Sequence, residues 1–334
     1  MKIKKNLPLI LVLIFAIAAC KKSGQNPVAN SASDVDVYSC GAVTDNTLVY
    51  YAALWKNGVP LKLSNNPSYA LAISYYNKDI YVAGYENNKA CYWKNGNLIS
   101  LDGADRSLAR AITIHGNDIY VAGWYENGTE EKAAYWKNGI MTKLSSDSPN
   151  SGANGIAIQG NDIYVAGLYS TNTIQPVACY WKNGVITPLI NNVYSSMANG
   201  IAINGKDVYI ALYLTDTTVT RYSVSAYWKN GVITKLTNGE SSYATGITIS
   251  NNDVYISGGS GYPLNISYWK NGNGVAVPNL YSSSAIAING NDVYLGGGIS
   301  NSTDNFAAYW KNGALIRLEQ TRISYVTGIA LVPK

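Results

Sequence analysis

One histidine, four cysteines and a handful of loop acids are the side chains in this 334-residue chain with the chemistry for catalysis or metal binding. His115 stands just before a Gly116-Asn117-Asp118 turn, in a register where sister segments carry Tyr76, Gln159, Asn204, Ser250 and Asn289. That is the place of an exposed turn residue. With no second histidine, neither a Ser-His-Asp nor a Cys-His system is available elsewhere. Cys91 and Cys179 precede Tyr-Trp pairs where other segments place Ala53, Ala134, Ala226, Ser267 and Ala308; they fill a slot for a small side chain. Cys40 aligns with Ala83 in the same way. All three are expected as free buried thiols, and no Cys-x-x-Cys spacing offers a zinc site. The recurring Asp36, Asp79, Asp118, Asp162, Asp207, Asp253 and Asp292 lack the acids at alternate positions that calcium loops need. They are expected to make Asx-type bonds to backbone N–H groups of the turns they follow. No metal and no cofactor is expected. Glu86, Glu126, Glu130, Glu131 and Asp216 leave a carboxylate pair for glycoside hydrolysis as an alternative, but no spacing sets two of them at a working distance, so they read as solvated loop charges.

These residues hang on a repeated unit. Trp-Lys-Asn-Gly recurs with Trp at 55, 93, 136, 181, 228, 269 and 310. Asp-(Ile/Val)-Tyr recurs with Tyr at 38, 81, 120, 164, 209, 255 and 294. A third word, close to Gly-Ile-Ala-Ile, begins near 72, 111, 155, 200, 246, 285 and 328. Each unit reads as four short strands. The third word forms strand A, the Asp-x-Tyr word opens strand B, the residues up to Trp form strand C, and strand D follows Lys-Asn-Gly. Asn-Gly between two apolar runs is a strong hairpin signal, because a type I′ turn requires positive φ at both central residues. Outside the first twenty residues no segment shows a helical period. The period of about 43 residues matches a four-stranded propeller blade, so the fold expected is an all-β, seven-bladed β-propeller over residues 34–334. Strand A is short and apolar throughout, which suits a strand buried on both faces near a crowded axis. Strand D carries Pro60 and Pro188, which places it at a sheet edge. The chain enters at a strand B and leaves on a lone strand A, so residues 326–332 are expected to complete the first blade by pairing with about 35–41.

The N-terminus reads as an address. Met1 to Lys5 is basic, and Leu7 to Ala19 is apolar but too short to span a bilayer. The stretch ends Ile17-Ala18-Ala19-Cys20, which resembles the lipobox of bacterial lipoprotein signal peptides. The resemblance implies that 1–19 is removed, that Cys20 becomes the acylated N-terminus, and that two or three acyl chains hold the protein at a membrane. Lys21 stands where an inner-membrane retention signal carries Asp, so lipid anchoring at the outer membrane is expected. Residues 20–33 then form the lipidated N-terminus and a flexible tether. The formal charge of +5 belongs to this segment: without Lys2, Lys4, Lys5, Lys21 and Lys22, the 20 remaining basic residues equal the 20 acidic ones. A neutral body has no electrostatic footprint for nucleic acid.

Within a blade the A–B and C–D turns share one end and barely vary. The opposite end holds the B–C loops and D-to-A crossings, which differ in length and sequence, and function concentrates in such loops. Tyr69, Tyr85, Tyr125, Tyr169, Tyr194, Tyr213, Tyr222, Tyr243, Tyr262, Tyr281 and Tyr325 fall there, as does Trp124, the single Trp outside the repeat. Tyr, Asn and Ser make recognition surfaces, since Tyr supplies area and a hydrogen-bonding tip at low entropy cost. The ligand-binding candidates are Tyr85, Arg110, Trp124, Tyr125, Glu126, Tyr169, Tyr213, Tyr243 and Tyr262. Arg110, Asn154, Asn199, Thr245, Ser284 and Thr327 share one register just before strand A, where they are placed to ring the mouth of a central channel. The Trp-x-Asn-Gly repeat is similar to the short extracellular repeats of uncharacterised bacterial surface propellers, a resemblance that carries no functional residue across. The function expected is a membrane-tethered, non-catalytic, monomeric binding propeller for a glycan or a protein. The alternatives are a polysaccharide-acting enzyme using loop carboxylates and a scaffold subunit of an envelope complex.

Overall fold

The computed structural model describes residues 35–101, 103–144, 148, 150–170, 175–190, 195–215, 222–238, 240–261, 266–300, 304–319 and 322–334. Among them, 28 strands form seven four-stranded antiparallel sheets. The inner strands of successive sheets contact one another in an unbroken circle, so the chain is a seven-bladed β-propeller. In six blades the chain runs outward. Blade IV, for example, uses Asn150–Gln159, Asp162–Ser170, Pro176–Lys182 and Val185–Pro188 in that order. In blade I the inner strand is the C-terminal Ser324–Pro333, which pairs with Val35–Thr44 from Val35↔Pro333 to Val43↔Ser324. The closure expected from the sequence is present and extends to both ends of that strand. Pro60 and Pro188 lie on outermost strands, whose residues are exposed, as a missing N–H requires.

The two commonest sequence words prove to be halves of one device. In every blade the Asn of Lys-Asn-Gly has φ of 46–51° and the Gly φ of 83–99°, the type I′ geometry. That Asn donates from Nδ2 to the blade's Asp and accepts on Oδ1 from the backbone N–H after it. In blade IV, Asn183 bonds Asp162 Oδ1 and Ile163 N, each at 2.8 Å. The preceding Lys182 reaches Asp162 Oδ2 at 2.7 Å with its ammonium 5.1 Å from the Tyr164 ring. The expectation of Asx bonds to turn N–H groups is therefore corrected. The carboxylate is taken by the Lys and Asn of the neighbouring hairpin, because strands B and C are paired and their ends meet.

Packing is organised by seams rather than around one centre. Seven clusters of buried side chains occur, each drawn from two adjacent blades. The pleat explains the division. Tyr81 lies opposite Lys94 and Val82 opposite Trp93, so Trp93 and Val82 face blade I while Tyr81 and Tyr92 face blade III. Six of the seven repeat Trp are at most 1% exposed, and Trp228 is 8% exposed. At about 25 cal/mol per Å² and roughly 150–250 Å² each, such rings contribute several kcal/mol apiece as an upper bound. A buried serine crosses six of the seams: Ser68, Ser107, Ser151, Ser196, Ser242 and Ser324 each accept a backbone N–H from strand C of the preceding blade at 2.8–2.9 Å.

The inner strands depart from the expectation of full burial. In Ser242–Ser250, for example, only the first and third residues are buried, whereas Asp79–Glu86 in second position is buried through its middle. Both faces of each inner strand meet the neighbouring inner strands, and it is the unpaired inner edge that borders the axis.

Two outcomes follow from these contacts. Ser196→Ala leaves the Ala178 N–H without a partner in a buried seam, and should cost about 1–3 kcal/mol in urea-unfolding free energy. The seven repeat Asp have pKa values held below their usual 3.8 by the Lys ammonium first and the Asn amide second. A lowered carboxylate pKa means a contribution complete above pH 3.8 and lost as pH falls through the folded-state values. Calorimetry should find Tm flat from about pH 7 to 5 and falling below about pH 4, with high salt flattening the profile.

Candidate functional site

Each inner strand carries a β-bulge at the same place. The ladder between inner and second strands skips one residue per blade: Leu71, Arg110, Asn154, Asn199, Thr245, Ser284 and Thr327. A bulge leaves its extra residue unpaired and re-aims its side chain. Here seven of them meet around the axis. The sequence register had placed six of these residues together; Leu71 belongs with them and had been missed because it is apolar.

The bulge side chains join the blades. Asn154 Nδ2 donates to Ala198 O at 2.9 Å, and Asn199 Nδ2 to Ala244 O at 2.7 Å. Thr245 Oγ1 donates to Ser283 O at 3.2 Å, and Thr327 Oγ1 to Ala70 O at 2.9 Å. In each case the acceptor is the carbonyl just ahead of the next blade's bulge. Arg110 Nη1 instead donates to the Asn154 side chain at 3.1 Å. A cavity of about 300 Å³ opens among Leu71, Leu108, Arg110, Asn154, Asn199 and Thr245. Inner strands start at the variable end and the bulge lies in their first half, so the cavity belongs to that face. Arg110 is the one ionisable group in its lining among the described residues. The blades around it lower its pKa by desolvation, opposed by the charge of Glu131, and a guanidinium stays protonated at neutral pH regardless. Its side chain still reaches solvent through the mouth.

Two residues ahead of the bulges stand Tyr69, Leu108, Met197, Tyr243 and Tyr325. Tyr69 lies in an aromatic cluster with Tyr50 at 5.5 Å and Tyr85 at 6.3 Å between ring centroids, and Tyr50 is 6.1 Å from Tyr325. Burial raises the Tyr69 pKa above its usual range, with the neighbouring tyrosines adding to it. The Tyr69 phenol is therefore a neutral group at physiological pH. The cluster unites rings from blades I and II, and Tyr50 had not been singled out from sequence.

Other candidates fare differently. Trp124 and Tyr125 are 5% and 6% exposed, which corrects the expectation that they are displayed on a loop. The second strand of blade III runs to Asn127, so both sit within the ladder, Trp124 with Arg106 5.6 Å from its ring and Tyr125 in the seam to blade II. Glu126 is ion-paired with Arg106. Tyr169 is half-buried against the seam between blades III and IV, and the Tyr213 hydroxyl lies 3.6 Å from Met197 Sδ. Tyr85 and Tyr243 are half-buried. Cys20, Tyr194, Asp216 and Tyr262 lie outside the described residues, as does the whole segment 1–34.

The described loop acids serve their own blades. Glu86 accepts from Ser64 of the crossing that enters its blade, and Glu130 pairs with Lys132 at 2.8 Å. Cys40, Cys91 and Cys179 are free and buried. Burial pushes the Cys40 thiol up to about 12, which rules it out as a thiolate nucleophile at neutral pH. His115 ends the inner strand of blade III at an exposed position. A second cavity of about 400 Å³ lies at the edge of blade I beside Asp45, Tyr51, Lys62 and Arg322. Its charges are engaged locally, Asp45 by Thr47, Val49 and Tyr51, and Arg322 by Glu319.

No family model and no curated protein matches this sequence. Solved structures with a similar chain path include TolB from Acinetobacter baumannii, 10% identical with a TM-score of 0.48, covering 90% of this chain and 67% of that one. A protein assigned as TolB from Agrobacterium tumefaciens is 10% identical with a TM-score of 0.45, covering 89% and 97% respectively. The GH32 β-fructofuranosidase BmSUC1 of Bombyx mori, solved as a mutant with sucrose, is 13% identical with a TM-score of 0.34, covering 71% and 62%. No residue of this chain takes a role from any of them.

Proposed function

We propose that this protein is a non-catalytic binding propeller, held at the outer membrane by acyl chains on Cys20, that recognises a glycan or a protein partner at the variable face. One observation carries the choice of face. Five of the seven bulge residues, Leu71, Arg110, Asn154, Asn199 and Thr245, line one cavity with apolar, cationic, amide and hydroxyl groups, whereas the opposite end repeats a single Asp–Lys–Asn arrangement in all seven blades. A structural role is met equally well by identical residues, and the repeated face shows it; differing side chains on a common scaffold are what selective binding needs. The local engagement of Glu86, Glu126 and Glu130 favours binding over hydrolysis, because a glycosidase requires two carboxyl groups free to flank one bond.

The detergent-solubilised full chain, screened on a glycan array and in pull-downs from envelope extract, should capture a ligand. Tyr85→Ala with Tyr243→Ala should weaken that capture at least tenfold while Tm moves by a few degrees, and Lys206→Ala on the repeated face should leave it unchanged. Capture insensitive to the tyrosine pair and lost with Lys206→Ala would place recognition on the wrong face in this proposal. The tether is tested separately. Cys20→Ser should abolish labelling by radioactive palmitate and move the protein from the membrane to the soluble fraction.

A further inference from the structure

The axial cavity is more selective in its chemistry than the variable face as a whole. Among the described residues its lining offers one permanent cation, three polar side chains and two leucines, and no carboxylate. Glu131 is the one acid among the described residues that acts on Arg110 electrostatically. It stands on strand Glu130–Lys137 at an exposed position, outside the cavity lining. Arg110 is thus a cation whose neighbours in the cavity are amides and a hydroxyl. Of the guanidinium's five N–H donors, the one hydrogen bond made among the described residues goes to Asn154. The remaining donors form a planar fork of the kind that grips a carboxylate in two parallel bonds.

The floor beneath Arg110 is rigid, and it presents acceptors. Asn154 and Asn199 spend their Nδ2 groups on carbonyls of the next blade, which fixes both amides. The Asn154 Oδ1 already takes Arg110, while the Asn199 side chain lines the cavity and its Oδ1 takes no hydrogen bond among the described residues. A fixed oxygen beside a guanidinium suits a ligand bearing both a carboxylate and a hydroxyl donor. Leu108 lines the cavity two residues ahead of its bulge, and Tyr69, Tyr243 and Tyr325 occupy the same register in blades II, VI and I. An aromatic ring is the kind of apolar, edge-polar surface on which a pyranose lies.

We infer that the axial mouth is a binding site for an acidic glycan, in which Arg110 receives a uronic-acid carboxylate, Asn199 accepts from an adjacent sugar hydroxyl, and Tyr69, Tyr243 and Tyr325 flank the ring. The inference rests on the reading of the variable face as a recognition surface and narrows its ligand to a charged sugar. An acidic peptide shares the carboxylate, but the tyrosine flank and the fixed acceptor favour the polyhydroxylated ring.

The test uses the detergent-solubilised full chain and isothermal titration calorimetry. The probes are tetrasaccharides of galacturonic, glucuronic and mannuronic acid, their methyl esters, and a tetra-aspartate peptide. At least one acidic tetrasaccharide should bind at least tenfold more tightly than its ester, and rising salt should weaken it. Arg110→Met should erase the difference between acid and ester without shifting Tm by more than a few degrees, whereas Arg110→Lys should keep part of it, since charge remains and the fork is lost. Acid and ester binding alike, with Arg110→Met silent, would overturn the inference and leave the glycan-binding face standing. Preference for tetra-aspartate over every sugar would overturn it in favour of a peptide ligand. If no probe binds while the array and pull-down screen still captures a partner, this inference falls alone; if that screen is also empty, both fall.

Discussion

A β-sheet has two faces, and in this chain both are apolar. Everything else in the structure follows from the need to cover them. Trp93 points to one side of its blade and Tyr81 to the other, so each blade must be clasped by a neighbour on both sides. An open row of such sheets would leave two faces bare. Only a circle leaves none, and it is closed by laying Ser324–Pro333 beside Val35–Thr44, so that blade I is made of the two ends of the propeller. The seam between blades VII and I then has the same kind of cluster as the other six. Sequence periodicity, chain topology and burial are one constraint seen at three scales.

That constraint divides the molecule into a face that must repeat and a face free to differ. At the repeating end, Lys, Asn and Asp lock strand B to the C–D turn, with Tyr under the ammonium. Each such exposed pair is a small contribution, and the device acts through geometry as much as energy, since it fixes the type I′ turn and hence the register that sends Trp into the seam. At the other end the bulge relieves the inner strand of its ladder for one residue. The backbone change is common to all blades, so the side chain it releases is under no shared packing demand. Asn and Thr at these places still tie blade to blade through backbone carbonyls, while Arg110 points a charge into the space the ring encloses. Stability and recognition thus share the same bulges.

The repeat words announced blade number, strand order and closure because they are local: a hairpin turn, an edge proline and an alternating apolar pattern act over a few residues. The sequence misled where the outcome hung on how far a strand continued. Trp124 and Tyr125 stood out as the one unrepeated Trp-Tyr pair, yet blade III extends its second strand past them and turns them into packing residues. Inner strands, apolar enough to suggest full burial, are largely half-buried because each is a sheet edge that borders the axis. The crossing serines were overlooked, since a serine before a strand looks like loop until a neighbouring blade brings its N–H to meet it. Tyr50 was passed over for the same reason: its partners, Tyr69 and Tyr325, belong to other strands.

By itself the order of residues settled the unit, its count and its hairpins, because each of those rests on contacts within one segment of about 43 residues. It also marked which end of every unit was free to vary. What only the assembled ring decided was the meeting of Leu71, Arg110, Asn154, Asn199 and Thr245 around one cavity. Those residues lie about one repeat apart along the chain, and nothing local to any of them says that the bulges all turn toward the same axis. Their convergence comes from circular closure, which is a property of seven packed seams and of no single blade.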